Sequence, residues 1–206
     1  MTPTTALTQR HGPADGQRGA SLIMVLIVLT IVSLLGIAGI QISLMSERGA
    51  RNDRDQQMAW QSAEAALVDA ENDLYGPGTS TRRSTFTPGT NLLAFVDGCG
   101  TTGNSQGLCT LVSSGKPSWL TSSFDFTATS ATAPSAVYGQ FTGRTFAAGS
   151  VGAQPAQLPR YVIEPIRDPA DRNLGSTDPK YVYRVTAIGF GPRSDIQAVL
   201  QMIYRD

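Results

Sequence analysis

The sequence predicts an α+β chain: one long N-terminal helix, apolar first and amphipathic second, packed on a C-terminal antiparallel β-sheet head. Three observations predict it. Residues 20–46 contain no ionisable side chain, 27 in succession. Residues 47–75 then repeat small and apolar side chains at spacings of three and four, with no breaker between the two stretches. From 158 to 206 the chain carries β-branched and aromatic runs, the pattern of a sheet.

Residues 17–30 read "QRGASLIMVLIVLT", a basic residue and a glycine followed abruptly by the apolar run. A secretory signal has an apolar core of about 7–15 residues and a small-residue cleavage site behind it. This run is nearly twice as long, and no Ala-x-Ala follows. At about 1.5 Å per residue it reaches roughly 40 Å as a helix, more than the ~30 Å hydrocarbon core of a bilayer needs. Arg10 and Arg18 precede it against Asp15 alone, which favours a cytoplasmic N-terminus with the rest of the chain outside. Gly36 and Gly39 lie within the run, either as close-approach positions between helices or as ordinary membrane-helix glycines.

Past the apolar run, Ala59, Ala63, Ala66, Leu67, Ala70 and Leu74 form one helical face. Glu47, Arg48, Arg51, Asp53, Arg54, Asp55, Glu64, Asp69 and Glu71 are placed on the remaining surface. Alanine gives high helix propensity, and Gly76-Pro77 supplies a stop. The two halves therefore read as one helix over 20–75, roughly 80 Å long at 1.5 Å per residue.

Residues 76–157 are rich in Gly, Ser, Thr, Ala and Pro and read as loops carrying short strands such as "NLLAFV" and "YGQFTGRTF". Cys99 and Cys109 lie here. An even pair in a chain with an export or membrane signal favours a disulfide over two unpaired thiols. Residues 158–206 follow with "RYVIEPI", "KYVYRVTAIGF" and "DIQAVLQMIY". The turn "GPRSD" makes the last two an antiparallel hairpin, one face of which would cover the alanine stripe. In the connection "RDPADRNLGSTDPK", Asp168, Asp171, Asn173 and Asp178 offer oxygens to a cation but match no calcium-loop spacing. Asp-Pro and Asn are equally what turns use, so this loop reads as exposed surface and a candidate partner contact.

The junction "RG" before "ASLI" resembles the prepilin signal of type IV pilins and pseudopilins. The string "RNDRDQQMAWQSAEAALVDAE" resembles the N-terminal signature of PilX-type minor pilins, and "YVYRVTAIGFGPRSDIQAVLQMIYR" is similar to that family's closing strands. The resemblance implies a type IV pilin-like fold and a leader of residues 1–19, cut by a membrane prepilin peptidase between Gly19 and Ala20. Ala20 would become an N-methylated terminus. The apolar half of the helix would sit in the inner membrane before assembly and against sister helices in the filament. Partners implied are other minor pilins, the major pilin and an adhesin-type tip protein. One position departs from the wider superfamily. Major pilins carry a glutamate as the fifth residue after the cut, thought to neutralise a neighbouring subunit's N-terminal amine; here Met24 stands in its place. A subunit with no neighbour ahead of it, at or near the filament tip, needs no such acid.

The charge balance excludes other classes. The chain holds 16 basic and 16 acidic residues with one histidine. Removing a 1–19 leader takes away two arginines, one aspartate and that histidine, leaving 14 basic and 15 acidic residues. No basic field suits nucleic acid. The strings G-x-G-x-x-G at 98–103 and G-x-S-x-G at 103–107 fall in the loop-rich stretch, without the strand-to-helix turn that either motif needs, and no CxxC is present, so neither catalysis nor a cofactor is expected. The reading is thus a structural assembly protein. Its alternatives are a type II secretion pseudopilin, with the same mechanics, and a permanently anchored periplasmic receptor or adhesin.

Overall fold

A computed structural model of the chain describes residues 20–76, 80–87, 89–149, 151–171 and 179–205. Residues 1–19, the expected leader with Gly19, and Asn173 and Asp178 of the acidic loop lie outside the described residues. The elements are α1 (Ala20–Leu74), β1 (Ala136–Val137), β2 (Arg160–Arg167), β3 (Tyr181–Phe190) and β4 (Gln197–Tyr204), with four one-turn 3-10 helices between α1 and β1. The chain divides into two compact units, Met1–Ala50 and Arg51–Asp206. The first contributes the apolar part of α1. The second, the head, has its own core.

Within the head, the four strands lie in the order β1-β2-β3-β4, each antiparallel to its neighbour. Alternation along each strand separates two faces. Tyr161 and Ile163 of β2 and Tyr183, Val185 and Ala187 of β3 face Ala66, Leu67, Ala70 and Leu74 of α1 and close the main core with Phe86, Phe95 and Phe141. At Gly189 the helix and strand backbones come closest. A Cβ there would stand 2.1 Å from the Ala63 amide nitrogen and 2.2 Å from the Ala59 carbonyl oxygen. Small residues on both sides permit that approach.

The opposite face of the sheet is also covered, which the sequence reading did not anticipate. Val162, Ile188 and Phe190 pack under Cys99, Cys109 and Phe126, with Trp119 and Phe124 at the margin. The cover is a flap stapled by the Cys99–Cys109 disulfide, whose Cα atoms are 4.0 Å apart. It is seated on the edge of β2: Cys109 N–H donates to the Ile163 carbonyl at 2.9 Å, and Ile163 N–H to the Gly107 carbonyl at 2.8 Å. Replacing both cysteines by serine is expected to cost about 2–3 kcal/mol, the loop-closure term for a bridge of this span. Denaturant unfolding of the variant against the parent checks it.

Two expected strands are not strands. In "NLLAFV", Leu92–Ala94 is a 3-10 turn begun by Asn91, whose side-chain oxygen accepts the Leu93 N–H. In "YGQFTGRTF", Gly139 (φ +77°) and Gly143 (φ +70°) take left-handed conformations that turn the chain, and the pairing residues are Ala136 and Val137 just before. The helix ends at Leu74, next to the expected stop.

Candidate functional site

Two surfaces of the molecule bear on function: the apolar segment of α1, and the helix face on which the head is built. In the first unit every large aliphatic side chain over 22–45 is more than half exposed, and mean hydropathy over the best 18-residue window is 2.9. Two hydroxyls inside it are satisfied by the helix itself. Thr30 donates to the Leu26 and Ile27 carbonyls and Ser33 to that of Leu29, so neither needs water. Gly36 and Gly39 have nothing within 4 Å of where a Cβ would stand, so this chain's own packing does not require glycine at either position. Met24 is 71% exposed. Ala20 is the first residue of α1, next to the Gly19 junction. A surface so apolar needs lipid or other helices around it.

On the second unit's helix face, Ala59, Ala63, Ala66, Ala70 and Leu74 are fully buried and Leu67 nearly so. Asp69 and Asp73 are also fully buried. Asp69 therefore does not belong to the charged surface on which the sequence reading placed it; that is a correction. The reason is local. The segment turned by Gly139 and Gly143 reaches over α1 and supplies the hydrogen bonds that a buried carboxylate needs. Asp69 Oδ2 accepts the Gly139 N–H at 2.7 Å, and Oδ1 accepts the Thr142 hydroxyl at 2.5 Å, with Arg144 at 4.0 Å.

One helical turn on, Asp73 centres a second network. Its Oδ2 accepts Arg82 Nε–H at 2.8 Å and the Tyr161 hydroxyl at 3.0 Å, and Oδ1 accepts the Ser80 hydroxyl at 2.7 Å. Arg82, fully buried, donates onward from Nη1 to the Gln106 and Asn104 carbonyls, and its guanidinium carbon lies 3.6 Å from the centre of the Phe141 ring. Burial pushes the Tyr161 phenol well above its ordinary range, so it remains a donor to Asp73. Helix, flap loop and sheet thus meet on two carboxylates spaced four residues apart. A third buried acid, Glu164 on β2, pairs across the ladder with Arg184 on β3 at 2.9 Å.

Burial raises the Asp69 carboxyl above its ordinary value of 3.8, against the lowering effect of the Thr142 and Gly139 bonds and of Arg144. For a carboxyl raised on folding, the protonated form is favoured in the fold. Its contribution to stability is full below about pH 4 and declines as pH rises through the folded-state value. Asp69→Asn, which keeps an acceptor for Gly139 and a partner for Thr142, is expected to cost under about 1 kcal/mol at neutral pH and to remove this slope. Asp69→Ala strands both donors and is expected to cost about 2–3 kcal/mol. Urea titrations from pH 3 to 7 read both outcomes.

Among the described residues no three His, Cys, Asp or Glu side chains gather as cation ligands. Asp168 accepts the Ala170 N–H at 2.9 Å, as a turn former does, and pairs with Arg205 at 2.9 Å, while Asp171 accepts the Lys180 N–H at 3.2 Å. The buried carboxylates hold elements together; the sequence places them beside the stripe but carries no signal that they are buried. Asp69 and Asp73 each stand three residues after an alanine of the stripe.

Two family models match the chain. One, described as PilX N-terminal, covers residues 18–68; the other, described as type IV pilus assembly protein PilX C-term, covers residues 105–206. Comparison with curated proteins and with solved structures gave no match. The first span holds the apolar segment and most of the buried helix face; the second holds Cys109 of the flap disulfide and all four strands. An apolar helix that must be covered by lipid or by other helices, carrying a head wrapped on its second half, is matched at both ends by one family, and the chain belongs to the PilX family of type IV pilus assembly proteins.

Proposed function

We propose that this minor pilin primes assembly of a type IV pilus and is incorporated at or near its tip, without catalysis. The observation that carries the reading is Met24, in an apolar span with no acid anywhere over 20–46. A carboxylate there costs about 2.5–3.5 kcal/mol in the membrane, so a subunit keeps one only where an amine of a neighbour repays it. A subunit that leads the filament has no such neighbour. Support for the two-solvent life of the helix comes from its continuous exposed apolar surface, which lipid covers first and sister helices later. In this reading prepilin peptidase cuts between Gly19 and Ala20 and Ala20 is N-methylated. The head lies in the periplasm before assembly, and its partners are the other minor pilins, the major pilin and an adhesin-type tip protein.

Two measurements test it. Met24→Glu in a piliated strain is expected to move the subunit away from the tip or to reduce fibre number. If assembly and position are both unchanged, the tip assignment fails. Mass spectrometry of the purified protein is expected to show a methylated Ala20 terminus; an intact Met1 would instead identify a permanent anchor.

A further inference from the structure

The two edges of the head sheet are treated differently. Beyond β2 the edge is covered, by β1 at Arg160 and Tyr161 and by the flap at Ile163. β4 forms the other edge. Among the described residues no backbone group pairs with its far side, and Gln56 reaches only the carbonyl of its first residue, Gln197, at 3.4 Å. Alternate residues of an antiparallel edge point their N–H and C=O groups outward. Proteins normally guard such an edge with charge, proline, a bulge or brevity. β4 has none of these. "QAVLQMIY" contains no charged residue and no proline, and it pairs one-to-one with β3 from Phe190↔Gln197 to Tyr183↔Tyr204. Its solvent-side residues Val199 and Ile203 are 45% and 60% exposed, with Gln201 between them held by the Thr186 hydroxyl.

The chemistry of the edge selects its occupant. The complement of an unpaired strand backbone is another extended backbone. The charges that bracket β4 are already matched, Arg193 with Asp195 and Arg205 with Asp168, so no charged ligand is called for. Val199 and Ile203 call for apolar side chains at alternate positions. A second copy paired antiparallel, the commoner arrangement, does not fit. Antiparallel pairing of two β4 edges places a twofold axis along the sheet normal. Residues 59–73 of α1 lie along the sheet: Gly189 packs at Ala59 and Ala63, the Tyr204 hydroxyl donates to the Leu67 carbonyl, and the Tyr161 hydroxyl to Asp73. That axis would reverse one helix against the other, whereas two chains held in one membrane enter their heads from the same side.

We propose that the free edge of β4 receives an extended, uncharged, apolar-alternating strand from a different protein of the pilus assembly, continuing the head sheet across a chain boundary. The proposal rests on the minor-pilin reading and is tested so that the two fail separately. Amide exchange of the full-length chain is compared in detergent and in sheared fibres. β4 amides are expected to exchange about tenfold or more slowly in the fibre. Val199→Lys with Ile203→Lys, which add charge on the solvent side without touching the β3 ladder, are expected to cut recovery in fibres roughly tenfold. Leu93→Lys, at a position 94% exposed elsewhere on the head, is expected to leave it unchanged.

Absence of the wild-type chain from fibres overturns the minor-pilin reading and this proposal together. Its presence with unprotected β4 amides overturns the proposal alone, whatever the lysine variant does. A Gln201→Cys variant that cross-links to itself in the fibre assigns the edge to a second copy and also overturns it.

Discussion

Replacing Gly189 by alanine is expected to destabilise the head by about 3 kcal/mol or more, the upper range for overpacking. The added methyl carbon would meet backbone atoms on both near contacts, the Ala63 nitrogen at 2.1 Å and the Ala59 oxygen at 2.2 Å, with the Ala63 Cα at 2.8 Å. No rotamer change relieves a clash with backbone, so β3 and α1 must separate. The separation is felt along the interface, because Ser62 accepts the Phe190 N–H of β3, the stripe alanines pack on the sheet, and Tyr204 on the adjoining β4 donates to the Leu67 carbonyl. For a head of this size the corresponding fall in Tm is roughly 6–12 °C. A variant that loses less than 1 kcal/mol in urea, at unchanged cooperativity, would show that the approach is not tight.

The second large effect is expected at Arg82. Arg82→Met keeps much of the volume and an apolar contact to Phe141, but leaves Asp73 buried with only the Ser80 and Tyr161 hydroxyls as donors. It also deprives the Gln106 and Asn104 carbonyls of a shared donor. Removing one partner of a fully buried ion pair costs about 3–5 kcal/mol, mostly as the penalty on the charge left behind. Combining it with Asp73→Asn is therefore expected to cost less than the two single substitutions added together. Equilibrium unfolding of the four proteins gives the coupling, and strict additivity would mean that the pair does not act as one unit.

These two sites divide what was legible in the sequence from what was not. The helix, its alanine stripe and the β3–β4 hairpin announce themselves through period: three-and-four spacing in one case, alternation bounded by a turn in the other. Those are local properties. The buried acids are not. Asp69 looks like any helix charge until Gly139 and Thr142, some seventy residues on, arrive with donors. Asp73 likewise depends on Arg82, in a region where composition suggested only loop. The flap escaped for the same reason. Its seat on β2 is made by backbone groups of Gly107 and Cys109, which carry no side-chain signal. Gly189 sits in a run that reads as ordinary strand, and only the opposing alanines explain it.

The order of the elements along the chain has a consequence for biogenesis. The alanine stripe is translated well before β3 and β4, the strands that must close over it; the Phe190 N–H that reaches Ser62 is separated from it by 128 residues. Such distant partners meet late, after the entropy of a long loop has been spent. Until those strands are made, the stripe and its two carboxylates have no lasting cover. A ribosome that stops short of the final hairpin thus releases a product with a bare seam. A protease or holding chaperone has a simple way to tell finished subunits from abandoned ones.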